Sequence, residues 1–186
     1  LLSQVSSEYM ITLSHYQKIL QQRNALLKRI AAGHEKEEAL DLWENELAEK
    51  GSVITLARLE LIGTLNLSFH QELANLEEDW NVRLRYDRKT QQTTREGLAA
   101  EMRELYKTTR TKDIATQSTH VGPHREDWMV ERDGRPLPSF ASRGQERVCV
   151  LALLFLEVSY LELKRGEKPV VLLDDAFSEL DDAHQT

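Results

Sequence analysis

At 186 residues the chain is long enough for one or two domains with a core of their own. It is 40 % hydrophobic and 30 % charged, and no apolar run nears the ~18 residues that a membrane span needs, so no membrane partner is expected. A net charge of −7 gives no bulk attraction to nucleic acid, and the single cysteine, Cys149, excludes an intramolecular disulfide framework and suits a reducing cytosol.

The opening LLSQVSSEYM lacks the basic and long apolar regions of a secretory signal, so a cytoplasmic location is expected. The chain starts without a methionine and is expected to be a piece of a longer protein. A first helix should be capped by Ser6 or Ser7 and stopped at Gly33. Within it Tyr9, Leu13, Tyr16, Leu20, Leu27 and Ile30 alternate spacings of four and three, a heptad seam broken only by Arg23. A second helical run from Glu37 to Leu76 carries Leu40, Trp43, Leu47, Ile54, Leu61 and Leu65 on one face. Gly51 marks a kink or local opening in it. The short turn Ala32-Gly33-His34 should fold the two into an antiparallel hairpin.

The period then changes. Trp80, Val82, Leu84 and Tyr86 alternate with Asn81, Arg83 and Arg85, which predicts a half-buried strand. After the polar stretch 89–94, with Thr94 as a cap, Leu98, Met102 and Leu105 mark a third helix through about Thr108. Basic residues gather twice, at Arg83, Arg85, Arg88 and Lys89 and at Arg103, Lys107, Arg110 and Lys112. These are either the solvated faces of a helical arm or a phosphate-contacting patch.

From His120 the texture is different. A Gly122-Pro123-His124-Arg125 turn precedes a strand over 127–131, and Asp133-Gly134 is a hairpin signal. The helix from Gln145 to about Lys164 is apolar nearly all round, so burial on more than one side is expected, with Cys149 inert within it. Gly166 ends it, and Val170–Leu173 reads as a central parallel strand. Trp43, Trp80 and Trp128 fall on apolar positions and read as packing anchors. The expected fold is therefore mixed: a long antiparallel helical arm over 1–118, then part of an α/β lobe over 119–186.

Two places carry chemistry. Asp174 and Asp175 stand where a buried strand would end, the edge that faces ligands in α/β sheets. One carboxylate there can hold Mg²⁺ and the other can orient a water attacking a γ-phosphate, if the strand bends or ends between them. The alternative is an acidic strand-to-loop turn. Ser142-Arg143-Gly144-Gln145 opens the apolar helix, and a helix start with unpaired N–H groups, a hydroxyl and a glycine can bind phosphate. An ordinary helix cap is the other reading.

Taken in order, LLSQVSSEY, YQKILQQRNALLK, GPHRED, FASRGQER and VVLLDDAFSELDD resemble motifs of the RecF family, recombination mediators related to the SMC and ABC ATPases. The resemblance covers essentially the whole chain. It implies an ABC-type ATPase head with a helical arm inserted between its lobes, binding ATP and Mg²⁺. It further implies an ATP-dependent homodimer that binds double- and single-stranded DNA at gaps and works with RecR and RecO to load RecA. By position, Ser142, Gly144 and Gln145 match the signature motif that grips the γ-phosphate bound by the opposite protomer. Asp174 matches the magnesium aspartate, Asp175 the catalytic carboxylate where ABC proteins often have glutamate, and Ser178 to Asp181 the D-loop at the dimer interface.

Two positions depart from the family's pattern: Glu126 stands where a second Asp is usual and Arg143 where Gln is common. The chain has no G-x-x-x-x-G-K-[ST] phosphate loop, so these 186 residues alone are expected to be inactive toward ATP, while the intact protein is a slow ATPase. His184 lies too close to the D-loop to be the switch histidine and reads as a surface residue. His124 and Arg125 could touch DNA phosphates, steady a nucleotide edge or fix their turn. The rival reading is a non-enzymatic helical adaptor whose degenerate cassette only dimerises, and an arm this short argues against an SMC-type chromosome protein.

Overall fold

The computed structural model describes residues 1–172. The order is α1 (Leu2–Val5), α2 (Ser7–Ala31), α3 (Leu40–Asn75), β1 (Val82–Asp87), α4 (Arg95–Thr116), β2 (Asp127–Arg132), β3 (Arg135–Pro136) and α5 (Arg143–Arg165), with single 3₁₀ turns at Glu37–Ala39 and Leu137–Ser139. The chain forms two compact units. One holds residues 2–59 and 87–127, the other residue 1, 60–86 and the described residues from 128 to 172, and the polypeptide of α3 runs through both. Compactness thus groups the chain differently from a linear cut after Ser118.

The first unit is a three-helix arm. Ser6 caps α2, its Oγ accepting the Tyr9 N–H at 3.1 Å. At the other end Gly33 takes φ +75 and the His34 N–H reaches back to the Arg29 carbonyl at 2.9 Å, the 6→1 bond that closes a helix before a left-handed residue. The turn sends α3 back along α2. Tyr9 and Tyr16 pack with Leu47, Ala48 and Ile54, while Leu26 and Leu27 pack with Leu40, so the pairing is antiparallel as the seam required. Helix α4 adds Met102 and Tyr106 to the first cluster and Ile114 to the second.

Two expectations change here. Helix α3 runs unbroken through Gly51, where a Cβ would meet Met102 Sδ at 3.0 Å and Pro123 Cδ at 3.3 Å. The glycine is there for close packing rather than for an opening. Helix α4 continues eight residues past Thr108 to Thr116, because no breaker intervenes before Gln117 turns left-handed at φ 55. Its buried Asp113 anchors that last stretch.

In the second unit the end of α3, the sheet and α5 enclose an apolar core of Phe69, Leu73, Trp80, Val82, Leu84, Leu137, Val148, Leu151, Ala152 and Leu156. The sheet order is β1-β2-β3, and Asp133 and Gly134, both at positive φ, make the two-residue turn that pairs Arg132 with Arg135 antiparallel. The free edge of β1 is closed by one side chain: Asn66 donates to the Leu84 carbonyl at 2.9 Å and accepts the Leu84 N–H at 2.7 Å. On β2 the buried residue is Glu131, held by Arg83 and Arg85 from β1. Desolvation alone would raise its pKa, but the two guanidiniums hold it below the usual carboxylate value.

Three further expectations are corrected in this unit. Among the described residues helix α5 is covered on one face, and Val150 and Leu163 on other faces are 63 % and 73 % exposed. Trp128, at the start of β2, is 52 % exposed rather than an anchor, and Val130 two residues on is the β2 side chain that packs on the apolar core, whereas Trp80 is buried beneath the Arg132 guanidinium. Finally, Val170–Leu172 form no strand. A central parallel strand exists only through its neighbours' hydrogen bonds, and no described strand pairs with it.

Candidate nucleotide-facing helix start and the GPHRED turn

The start of α5 is set by a reciprocal cap. Ser142 Oγ accepts the Gln145 N–H at 3.2 Å, and Gln145 Oε1 accepts the Ser142 N–H at 3.1 Å. The ordinary-cap reading is therefore realised in the structure. The same turn still offers the amides of Arg143 and Gly144, which have no acceptor inside the helix, at its positive end. Ser142 and Arg143 are exposed. Gly144 has no positive φ, and a Cβ there would meet nothing nearer than Ser142 Oγ at 3.9 Å. Neither backbone conformation nor internal packing demands a glycine. What it provides is an open approach to the helix start.

The structure thus brings Ser142, Gly144 and Gln145 together in one exposed turn. Asp174, Asp175, Ser178, Asp181 and His184 lie outside the described residues. Cys149 sits one turn further along α5 and is buried, and desolvation pushes its thiol up to about 11, which suits an inert packing residue.

In the arm, the GPHRED turn has a specific internal construction. Gly122 takes φ +114, and a Cβ on it would collide with the hydroxyls of Tyr16 and Tyr106. The Pro123 carbonyl accepts from Arg58 at 2.7 Å. His124 Nε2 donates to the Thr119 carbonyl at 3.1 Å, so Nδ1 of the neutral ring accepts the Tyr16 hydroxyl at 2.7 Å. Desolvation of the ring and the nearby Arg125 and Arg23 lower the His124 pKa against the opposing Thr119 bond. Both ring nitrogens are occupied, so of the three roles open to His124 the structure supports fixing the turn.

The residue that sequence reasoning passed over is Arg23. It sits fully buried on the heptad seam, donating to Asp113 at 2.9 Å, Glu44 at 2.9 Å and Thr119 Oγ1 at 2.7 Å, with its guanidinium 5.4 Å from the Tyr106 ring centre. Arg110 adds a second clamp on Glu44 and reaches Asp41. Asp113 also accepts from His120, which ties the network to the turn region. The signal was in the sequence: a charge on an otherwise apolar seam requires a buried partner of opposite sign.

A helical arm, a small antiparallel sheet and a helix opened by a serine-glycine-glutamine turn make a mostly helical, ABC-ATPase-like fragment. No protein-family profile matches the chain. Among curated proteins, the DNA replication and repair protein RecF of Halothermothrix orenii is 34 % identical over 189 residues, covering 97 % of this chain and 50 % of that protein. RecF of Geobacillus thermodenitrificans is 34 % identical over 192 residues, covering 100 % of the chain and 51 % of that protein. A solved structure of the recombination mediator protein RecF-ATP in the RecFOR pathway matches with a TM-score of 0.90 and 32 % identity over 97 % of this chain and 49 % of that one. A RecF-ATPrS structure matches with a TM-score of 0.83. The chain is a RecF-family segment, and it spans about half the length of the curated relatives it matches.

Proposed function

We propose that the protein carrying this segment is an ATP-dependent, DNA-binding recombination mediator. It dimerises on ATP at DNA gaps and, with RecO and RecR, helps to load RecA during repair and replication in the cytoplasm. Residues 1–118 act as the arm and 119–186 as part of the second ATPase lobe. The observation that carries this reading is the first turn of α5, whose glycine no described residue requires, in a chain that matches an ATP-bound RecF over nearly its whole length.

In that reading the free amides of Arg143 and Gly144 and the side chains of Ser142 and Gln145 meet the γ-phosphate held by a second protomer. Asp174 would hold Mg²⁺, which would supply charge neutralisation at the phosphates. Asp175 orients the attacking water, and as a shorter carboxylate than glutamate it does so less directly, which makes turnover slow. Ser178 and Asp181 belong to the D-loop at the dimer junction. The 186 residues alone turn over no ATP.

A second reading, a non-enzymatic adaptor that only dimerises, draws on the reciprocal cap: Ser142 and Gln145 already satisfy each other. Asp175→Asn in the full-length protein separates the two. The enzyme reading expects ATP turnover to fall while an ATP-bound dimer accumulates in light scattering. Unchanged turnover with no ATP-dependent dimer favours the adaptor.

A further inference from the structure

The arm unit contains a cavity of about 160 Å³ whose lining includes Asp87, Arg88, Lys89, Thr90, Arg125 and Glu126. Its three cations differ from other arginines of the chain in what holds them. Arg23, Arg83, Arg85, Arg103 and Arg110 each pair with a carboxylate. Among the described residues, those of the cavity donate only to neutral oxygens. Arg88 reaches Thr90 Oγ1 at 2.9 Å and the carbonyls of Gln92 at 2.9 Å and Gln91 at 3.3 Å. Lys89 reaches the His120 carbonyl at 3.0 Å. Arg125 reaches the Thr119 carbonyl at 3.1 Å and Ser118 Oγ at 2.9 Å.

A neutral acceptor orients a cation without cancelling its charge. Donors also remain unspent: two of the three on the Lys89 ammonium, the Arg88 Nε–H and the second terminal nitrogen of Arg125. Of the two lining carboxylates, Glu126 is committed to Thr55, accepting its hydroxyl at 3.0 Å. Arg88 is half-buried while Lys89 and Arg125 are exposed, so the charges converge at an accessible mouth.

We infer that this cavity is a phosphate-binding site, separate from the start of α5, formed by Arg88, Lys89 and Arg125. The phosphate comes either from a nucleic-acid backbone or from a free nucleotide; the chemistry that recognises it is the same. Asp87 and Glu126 in the lining keep affinity modest, so the site adds to binding made elsewhere rather than anchoring it alone. The inference is independent of the ATPase reading, since it uses none of the residues assigned there.

The test titrates isotope-labelled full chain with pyrophosphate and, separately, with a short DNA duplex, following the amide signals of Thr90 and Arg125 by NMR. Binding is expected to shift those signals, to weaken about tenfold or more in Arg88→Gln/Lys89→Gln, and to tighten in Glu126→Gln. If the backbone is the source, the duplex shifts them and the slope of log affinity against log salt drops by roughly two in the double variant. If a free nucleotide is the source, only pyrophosphate shifts them. Lys89→Gln alone, at an exposed side chain, serves if the double variant loses its native melting transition. Signals that move with neither probe, or that move equally in the variants, overturn the inference.

Discussion

The two units of this chain solve core formation differently. The arm places a guanidinium, two carboxylates and a threonine hydroxyl in its interior, at Arg23, Glu44, Asp113 and Thr119. The sheet unit fills its core with aliphatic and aromatic side chains, and among its described residues the buried charge is Glu131. An apolar seam between long helices tolerates sliding by a heptad, since one leucine resembles another. A bonded arginine does not slide, because any other register leaves buried charges unpaired. The sheet unit has no need of this, as strand hydrogen bonds and the Asn66 clamp already set its register.

The contrast predicts unequal responses to truncation. Arg23→Ala removes the guanidinium that joins Glu44, Asp113 and Thr119 in the arm's interior, leaving Glu44 to Arg110 and Asp113 to His120. It should cost about 3 kcal/mol in urea unfolding. It should also broaden the arm's NMR signals as registers interchange; a loss under 1 kcal/mol with sharp signals would break the comparison. Leu156→Ala, in the apolar core, should cost roughly 3 kcal/mol through cavity formation and leave the arm's signals sharp. Ser142→Ala removes a cap on an exposed helix start and should cost only about 1 kcal/mol. ATP-dependent behaviour of the full-length protein should suffer far more than that loss explains.

The smallest effect concerns acid. The folded pKa of His124 is depressed below its ordinary 6.5, so its neutral ring favours folding above that value. That contribution is lost as pH falls from about 6.5 toward the folded pKa, because the unfolded chain then binds the proton first. Denaturation midpoints between pH 7.5 and 5.5 should therefore fall more steeply in the parent than in His124→Gln. Equal slopes would mean that desolvation of the ring and the neighbouring Arg125 and Arg23 do not hold it neutral.

Much of this architecture was legible in the residues. The α2–α3 hairpin followed from heptad spacing and Gly33, the β2–β3 turn from Asp133-Gly134, and the starts of α4 and α5 from Thr94 and Ser142. These are local effects, each decided by side chains within a few positions of the backbone they act on. The family resemblance was legible too, because it rests on motifs in a fixed order.

What resisted reading depends on partners distant in the chain. The basic cluster at 83–89 looks uniform as sequence. Tertiary contacts divide it, sending Arg83 and Arg85 to Glu131, 46 to 48 residues away, and holding Arg88 and Lys89 on neutral oxygens among the described residues. Gly51 reads as a breaker until Met102 and Pro123 are seen against it. Val170–Leu172 read as a strand, yet a strand is a property of its neighbours. Local propensity and periodicity determine which elements form, but which charges are neutralised and which faces are covered is decided when remote segments meet, since those energies depend on distances that no short window contains.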